Sequence, residues 1–414
     1  LFGNPAGLSN LSAFEIRISG GLNFTKEKQE QEWRPEPYYY ALTLMFENNY
    51  SGIDSGLQKP YDKIQPNWSR SKTQIYPSMF AIGSQFDIRG YKFSAGIGYT
   101  KAVNLNHYFQ NNNVLSPYIG TYRPTPIPRV LSGDTLRADW YQYIGKREGS
   151  IYQISPAIAF NLYGGINIGV TGNIYTGTSD DREEHHGRGR LALRSQQYFT
   201  MDSVYYNWVS EGTSKYKGFN GTVGITLGNS SVQIGAVLNT PLTLKRTWNR
   251  MVSFDTTGLD TVTIFSGSDK LKFPLNYTIG ISVHPNRSWT IALDYFVNQY
   301  GETSYEVDTL SISAGMVSGN VLRVGTEYIA TDWLAIRCGY REEAQSFAPV
   351  GTALIDEPAR GSVFSAGFGL EFGSIKFDLA YEYMRLKYPD AWMSNTNYNS
   401  IYMSSISFET AYTF

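Results

Sequence analysis

The chain has 414 residues, with 35 Lys+Arg against 36 Asp+Glu and a formal net charge of -1. Such a balance lacks the one-signed field that nucleic acid or an anionic surface would require of a partner. Charged residues make up 17% and aromatics 15%, with 32 Tyr, whose ring and wet hydroxyl suit a boundary between apolar and aqueous phases.

The lone Cys338 excludes an internal disulfide and a cysteine metal cluster. An apolar run of about 18 residues is missing, so no membrane helix is expected; strands escape that test because only alternate residues are apolar. No signal peptide is visible, and Leu1 reads as a point within a processed or incomplete chain.

Residues 1–13, LFGNPAGLSNLSA, are broken by Gly3, Pro5 and Gly7 and predict a compact segment or a disordered tail. Strands are then expected from about residues 14, 75, 91, 150, 166, 216, 231, 271, 289, 320, 333, 362, 375 and 400. The alternation is clearest late in the chain. Trp289, Ile291, Leu293 and Tyr295 interleave with Thr290, Ala292 and Asp294. Phe364, Phe368, Leu370 and Phe372 interleave with Ser365, Gly367, Gly369 and Glu371, and the last strand ends on Tyr412 and Phe414. One face is apolar and free of charge, and the other carries both signs with glycine and serine.

A soluble sandwich would show the same alternation, so connection length decides. Tight joins fall at Arg89–Gly90, Tyr163–Gly165, Gly228–Ser230, Pro285–Ser288, Thr331–Asp332 and Gly373–Ser374. Between them lie long polar segments, read as loops, at 25–74, 105–149, 177–215, 241–270, 297–319, 342–361 and 385–399. Tyr38–Glu47 within the first reads as a loop hairpin. Short turns on one side and long loops on the other predict an all-β, transmembrane, antiparallel up-and-down β-barrel of about 14 strands. Residues 14–414 would form this single barrel, and residues 1–13 a short hatch or plug. Closure is required, because an open edge in hydrocarbon leaves amides unpaired. A barrel of this size is also too wide for side chains alone to fill.

With the apolar face outward, Glu15, Arg17, Asp294, Arg323, Glu327, Arg337, Lys376, Asp378, Glu382 and Glu409 point inward. They predict a mutually paired lumen network. Substrate contact is the other reading, with Arg17, Arg323, Arg337 and Lys376 as lumen-lining candidates. His185 and His186, in DDREEHHGRGR, read as part of a solvated loop rather than a metal site. His107 lies at a loop base and His284 near a turn, so no serine–histidine constellation forms on the lipid face and no catalytic role is expected. Nothing calls for a cofactor. Pro124, Pro126 and Pro128 stiffen the second long segment, as a cap or a partner contact.

Asn4-Pro5-Ala6-Gly7-Leu8, just before the first strand, resembles the hatch motif of the FadL/TodX family of outer-membrane hydrophobic-substrate transporters. YPSMFAIGSQFDIRGYKFSAGIGYTKAVN at 76–104 is similar to its second and third strands. KFPLNYTIGISVHPNRSWTIALDYF at 272–296 and RVGTEYIATDWLAIRCGYREE at 323–343 are similar in pattern to its penultimate hairpins. The resemblance implies a bacterial outer-membrane location, contact with the bilayer and lipopolysaccharide, and a hydrophobic small-molecule ligand such as a long-chain fatty acid. It also implies gating by Asn4, Pro5, Ala6 and Gly7. Release would be lateral, at an inward kink of the strand Tyr91–Asn104, where Gly96 and Gly98 face inward. Family members carry a longer segment before the motif, whereas three residues precede it here. A second implication comes from family-like barrels in protein secretion of the type IX kind, where the barrel docks an envelope protein partner.

Overall fold

The computed structural model describes residues 2–33, 67–118, 137–162, 165–194, 198–202, 206–256, 259–308, 310–350, 357–392 and 395–414. In chain order the strands are β1 (Glu15–Trp33), β2 (Trp68–Ile88), β3 (Tyr91–Asn104), β4 (His107–Tyr118), β5 (Arg137–Leu162), β6 (Ile166–Arg194) and β7 (Tyr198–Asp202). Next come β8 (Tyr206–Gly228), β9 (Val232–Asn239), β10 (Leu242–Thr256), β11 (Leu259–Phe273), β12 (Asn276–Asn286) and β13 (Trp289–Val297). The remainder are β14 (Ser304–Val307), β15 (Leu310–Ser313), β16 (Val321–Thr331), β17 (Leu334–Ala344), β18 (Arg360–Phe372), β19 (Ile375–Trp392) and β20 (Asn395–Thr413).

Antiparallel pairing runs from β1 round to β20, and β20 pairs back onto β1 from Glu15↔Thr413 to Trp33↔Asn395. Among the described residues this closes a barrel of 14 staves, as the alternation predicts. β9 with β10 forms one stave and β11 with β12 the next. Thr240–Pro241 and Pro274–Leu275 interrupt these neighbours at the same height. Proline cannot donate to the ladder, so two adjacent interruptions confine the disruption to one level. The Phe414 amide donates to the Phe14 carbonyl at 2.9 Å, placing both ends of the barrel on the short-turn rim.

Five of the six predicted tight joins lie wholly among the described residues, and each links two paired strands; the sixth, at Tyr163–Gly165, lies partly outside them. At the first, Arg89 and Gly90 both have positive φ, 56° and 83°, as a two-residue hairpin with right-handed twist demands.

The outward face is apolar where the alternation places it. Ile291, Leu293, Val324, Ile336, Phe364, Phe368 and Phe408 are all exposed. Aromatic pairs ring the short-turn rim, with Trp289 on Tyr328, Trp333 on Phe372 and Tyr412 on Phe414. Tyr99 on Tyr152 and Tyr340 on Phe364 mark the upper edge of the apolar band.

The predicted loops need correction. Much of 177–215 is strand, since β6 runs 29 residues and pairs with β8 as far as His185↔Trp208. β4 pairs with β5 inside 105–149, and β10 with β11 fills 241–270 as a hairpin. β1, β19 and β20 likewise continue far above the band. His185 and His186 therefore sit on a strand, with His185 stacked on Tyr141. Above the apolar band both strand faces meet water or packed polar groups, so the period-two signal fades although the backbone ladder persists. Tyr38–Glu47, Pro124, Pro126 and Pro128 lie outside the described residues.

Candidate functional site: a 3-10 turn beneath a layered lumen

Pro5–Asn10 forms a 3-10 turn inside the barrel. Its start is built by Asn4, whose Oδ1 accepts from the Ala6 amide at 2.9 Å while Pro5 takes the first position, where a donor would be wasted. The same side chain reaches the wall, Nδ2 donating to the Ile225 carbonyl at 3.3 Å. Ala6 is fully buried, Pro5 is buried, and Leu8 packs on Ala157 and Ala159 of β5.

The wall is shaved to admit this turn. A Cβ at Gly224 would lie 2.8 Å from Pro5 Cδ and 3.0 Å from Asn4 Cγ, and one at Gly169 would overlap the Pro5 carbonyl group. On the far side Leu11 Cδ1 would meet a Cβ at Gly83 at 2.9 Å. Beside the turn lies a cavity of about 360 Å³ lined by Phe2, Leu8, Leu11, Met79, Arg17 and Glu409. Gly7 is exposed, and a Cβ there would meet open space.

Above the turn, inward amides and hydroxyls form a neutral belt. Asn173 accepts from Gln153 and from Ser155, both at 2.9 Å, and donates to Asn220 at 2.9 Å and Thr222 at 2.8 Å. The belt continues through Asn239 to Asn276. Buried amides joined in this way avoid the cost of unpaired polar groups without placing charge in the lumen.

Next comes an apolar collar of Ile151, Tyr216 and Leu244, all buried, packed with Leu105, Tyr175, Leu271 and Phe273. Tyr300, on an inward-reaching connection, abuts Phe273 edge-on at 5.9 Å. These residues share the inner face with the hatch contacts, so on β5, β8, β10 and β11 the inward face is apolar at this level. The alternation rule alone assigns apolar side chains outward, and the collar departs from it.

A charged rim tops the collar. Asp269 accepts from Arg246 Nη2 at 2.6 Å, Trp248 Nε1 at 3.0 Å and the Tyr305 hydroxyl at 2.9 Å. Burial opposes the Arg246 cation, and the Asp269 carboxylate more than offsets that, raising its pKa further. Asp181 is likewise penalised by burial, yet hydrogen bonds from Arg147 and Ser214 hold it below the usual carboxylate range. His107 is pushed down by burial and then by Arg147.

The opposite wall is different. Arg17 donates to Glu15 at 2.5 Å and to Glu409 at 3.0 Å; Arg337 pairs with Glu327 at 2.6 Å and with Asp378; Lys376 pairs with Glu371 at 3.2 Å. Arg341, also inward-facing, donates to Glu382 from both terminal guanidinium nitrogens, at 2.7 and 3.2 Å. Arg323 lies over the Phe296 ring at 5.9 Å. Asp294, Arg323, Glu327, Arg337, Arg341 and Asp378 face one cavity of about 530 Å³. Three of the four lumen-lining candidates, Arg17, Arg337 and Lys376, are therefore held in ion pairs.

Gly96 faces inward between Gly83 and Ala157, and Gly98 between Ala81 and Ser155. Pairing runs unbroken through both glycines on both sides, and the register shifts only between Lys101 and Val103.

The fold is that of known hydrophobic-compound channels. A Pseudomonas aeruginosa FadL homologue matches with TM-score 0.59 and 14% identity, over 100% of this chain and 93% of that one. The Pseudomonas putida toluene transporter TodX matches with TM-score 0.59 and 14% identity over the same shares. CymD, a monoaromatic hydrocarbon channel, matches at 0.51 and 13%, over 100% and 92%. No family model and no curated protein sequence matches the chain.

Proposed function

We propose that this chain is an outer-membrane channel of the FadL/TodX type for hydrophobic small molecules, with its short turns in the periplasm. The observation that carries the reading is the Asn4–Asn10 turn, seated against a glycine- and alanine-faced wall beneath a belt of paired amides and an apolar collar. A hydrophobic solute crosses a polysaccharide leaflet slowly, so a dry protein path lowers its barrier. The outer connections would gather the solute and the collar of Ile151, Tyr216, Leu244 and Phe273 would pass it. The cavity beside Leu8 and Leu11 would receive it.

A long-chain fatty acid is the substrate we favour, since an acyl chain is slim enough to thread between aliphatic and tyrosine side chains. Asn4, Pro5, Ala6 and Gly7 act as the gate. A ligand moves this gate only by binding the displaced arrangement better than the docked one. Lateral release beside Gly96 and Gly98 requires ladder hydrogen bonds to break there, and two small residues on the inner face lower the resistance to bending.

Uptake into proteoliposomes of a labelled long-chain fatty acid, with toluene in parallel, tests the reading. Wild-type protein should admit the fatty acid faster than empty vesicles, and Leu244→Glu should abolish the gain by charging the collar. Fatty-acid uptake no faster than empty vesicles overturns the substrate, and no gain for either solute overturns the channel.

A further inference from the structure

Above the apolar band the exterior of the barrel carries lysines in direct register. Lys217 of β8 lies opposite Lys245 of β10, and Lys245 lies opposite Lys270 of β11. Their chain neighbours Tyr216, Leu244 and Asp269 are buried in the lumen, so alternation turns all three lysines outward, where they are exposed. Lys215 stands two residues above on β8 and Lys272 two below on β11, both exposed. Directly opposed residues on paired strands have Cβ atoms about 5 Å apart, and like charges so placed repel. Among the described residues one carboxylate answers the five: Glu306 lies 3.0 Å from Lys272 and 3.6 Å from Lys270. Lys215, Lys217 and Lys245 have no ion-pair partner among the described residues.

The height of the row is informative. Lys217 stands about eleven residues from the short-turn end of β8, just past the 9–11 residues a strand needs to cross the hydrocarbon core. Phe219, the next outward residue below it, is 64% exposed. Along the same row Tyr152 faces Thr176, which faces Lys217, and Tyr152 belongs to the upper aromatic pair.

We propose that Lys217, Lys245 and Lys270, flanked by Lys215 and Lys272, bind the phosphate groups of the outer-leaflet glycolipid. A phosphate offers several anionic oxygens able to bridge two ammonium groups at cross-strand spacing, converting repulsion into a site. The acyl chains of the same lipid would lie against Phe219 and the apolar band below. This assignment rests on the outer-membrane reading for its orientation, and is independent of what the lumen carries.

Native mass spectrometry of the full chain in detergent, with bis-phosphorylated lipid A as probe, tests it. The triple variant Lys217→Gln, Lys245→Gln, Lys270→Gln should bind on the order of 100-fold more weakly, from about fivefold per lysine beside an anionic headgroup. A control set at the short turns, Arg89→Asn, Lys92→Gln and Arg287→Gln, should bind as the wild type does. Dephosphorylated lipid A should lose the same affinity. Equal binding by triple variant and wild type, or by lipid with and without phosphate, overturns the proposal. Full displacement by millimolar inorganic phosphate would also overturn it, marking a free-anion site. Folding of each variant is read from the heat-dependent shift in gel mobility. Failure of the wild type to insert into vesicles would overturn the membrane reading with it, whereas insertion without lipid A binding sinks this proposal alone.

Discussion

Replacing Gly224 by alanine should undock the hatch without disturbing the barrel. The new Cβ would overlap Asn4 Oδ1 and stand 2.8 Å from Pro5 Cδ and 3.0 Å from Asn4 Cγ. Carbon atoms settle at about 3.5–4.0 Å, so the turn must retreat by roughly an ångström. Gly224 lies near the short-turn end of β8 but is paired on both sides, to Gly169 and Val237, so the wall resists giving way. The retreat stretches the 3.3 Å bond from Asn4 to Ile225 and lifts Leu8 from Ala157 and Ala159. Forcing a methyl into a packed site costs about 1–3 kcal/mol. At RT of about 0.59 kcal/mol the undocked population should then rise roughly 5- to 150-fold. Hydrogen exchange followed by mass spectrometry over the peptide 2–13 reads that population directly, since the Gly7 and Leu11 amides are bonded only within the turn. Gly7→Ala is the matched control, because its added methyl meets open space. Unchanged exchange in Gly224→Ala, with a folded barrel, would refute the docking geometry.

Asp269→Ala leaves Arg246 without its carboxylate and should cost about 3–5 kcal/mol, the usual penalty for orphaning a buried ion, read as a lower urea midpoint. Pairing it with Arg246→Met should recover much of that loss; simple additivity would contradict the ion-pair assignment. Glu148, hydrogen-bonded by Lys72 and Lys146, is held down to about 2 from its ordinary 4.5. A depressed carboxyl stabilises the fold above its unfolded value and loses that contribution as pH falls through the folded one. The melting difference between wild type and Glu148→Gln should therefore hold steady above pH 4.5 and close towards pH 2. The group is 41% exposed, so the difference stays under about 1 kcal/mol; a difference that grows on acidification would refute it.

The barrel was legible because hydrocarbon enforces period two with no charge on one face, as in Trp289, Ile291, Leu293 and Tyr295, and because the short turns are chemically marked. The upper reaches were not. β6 beyond Thr178 reads SDDREEHHGRGR, where no phase demands alternation, so a strand there carries the composition of a loop. A compact segment was one of two readings of residues 1–13, and the reason for asparagine appears only in three dimensions, where one amide caps the turn and grips Ile225, 221 residues away. The collar was hidden for a related cause. Ile151, Tyr216 and Leu244 alternate with polar residues as lipid-facing ones do, but in the opposite phase and above the band. The neighbouring glycines Gly149 and Gly218 blur the phase further.

If the proposed transport holds, the two walls of the lumen differ in which of them could yield. On the β16–β20 side and the adjoining β1, Arg17, Arg337 and Arg341 are each held by one or two carboxylates, a charged face that an apolar chain cannot replace. On the β5–β8 side the hatch is held by one 3.3 Å hydrogen bond and by contacts among Leu8, Ala157, Ala159 and glycine backbone. Those contacts are nonpolar and short-ranged, and an acyl chain can replace them nearly one for one. On the proposed reading, a hydrophobic solute that has passed Leu244, Phe273 and the amide belt would meet the wall where apolar surface is exchangeable, while the wall opposite presents paired charges. Displacement of Pro5–Asn10 is the motion this asymmetry favours, and the intact ladder through Gly96 and Gly98 is what must yield after it.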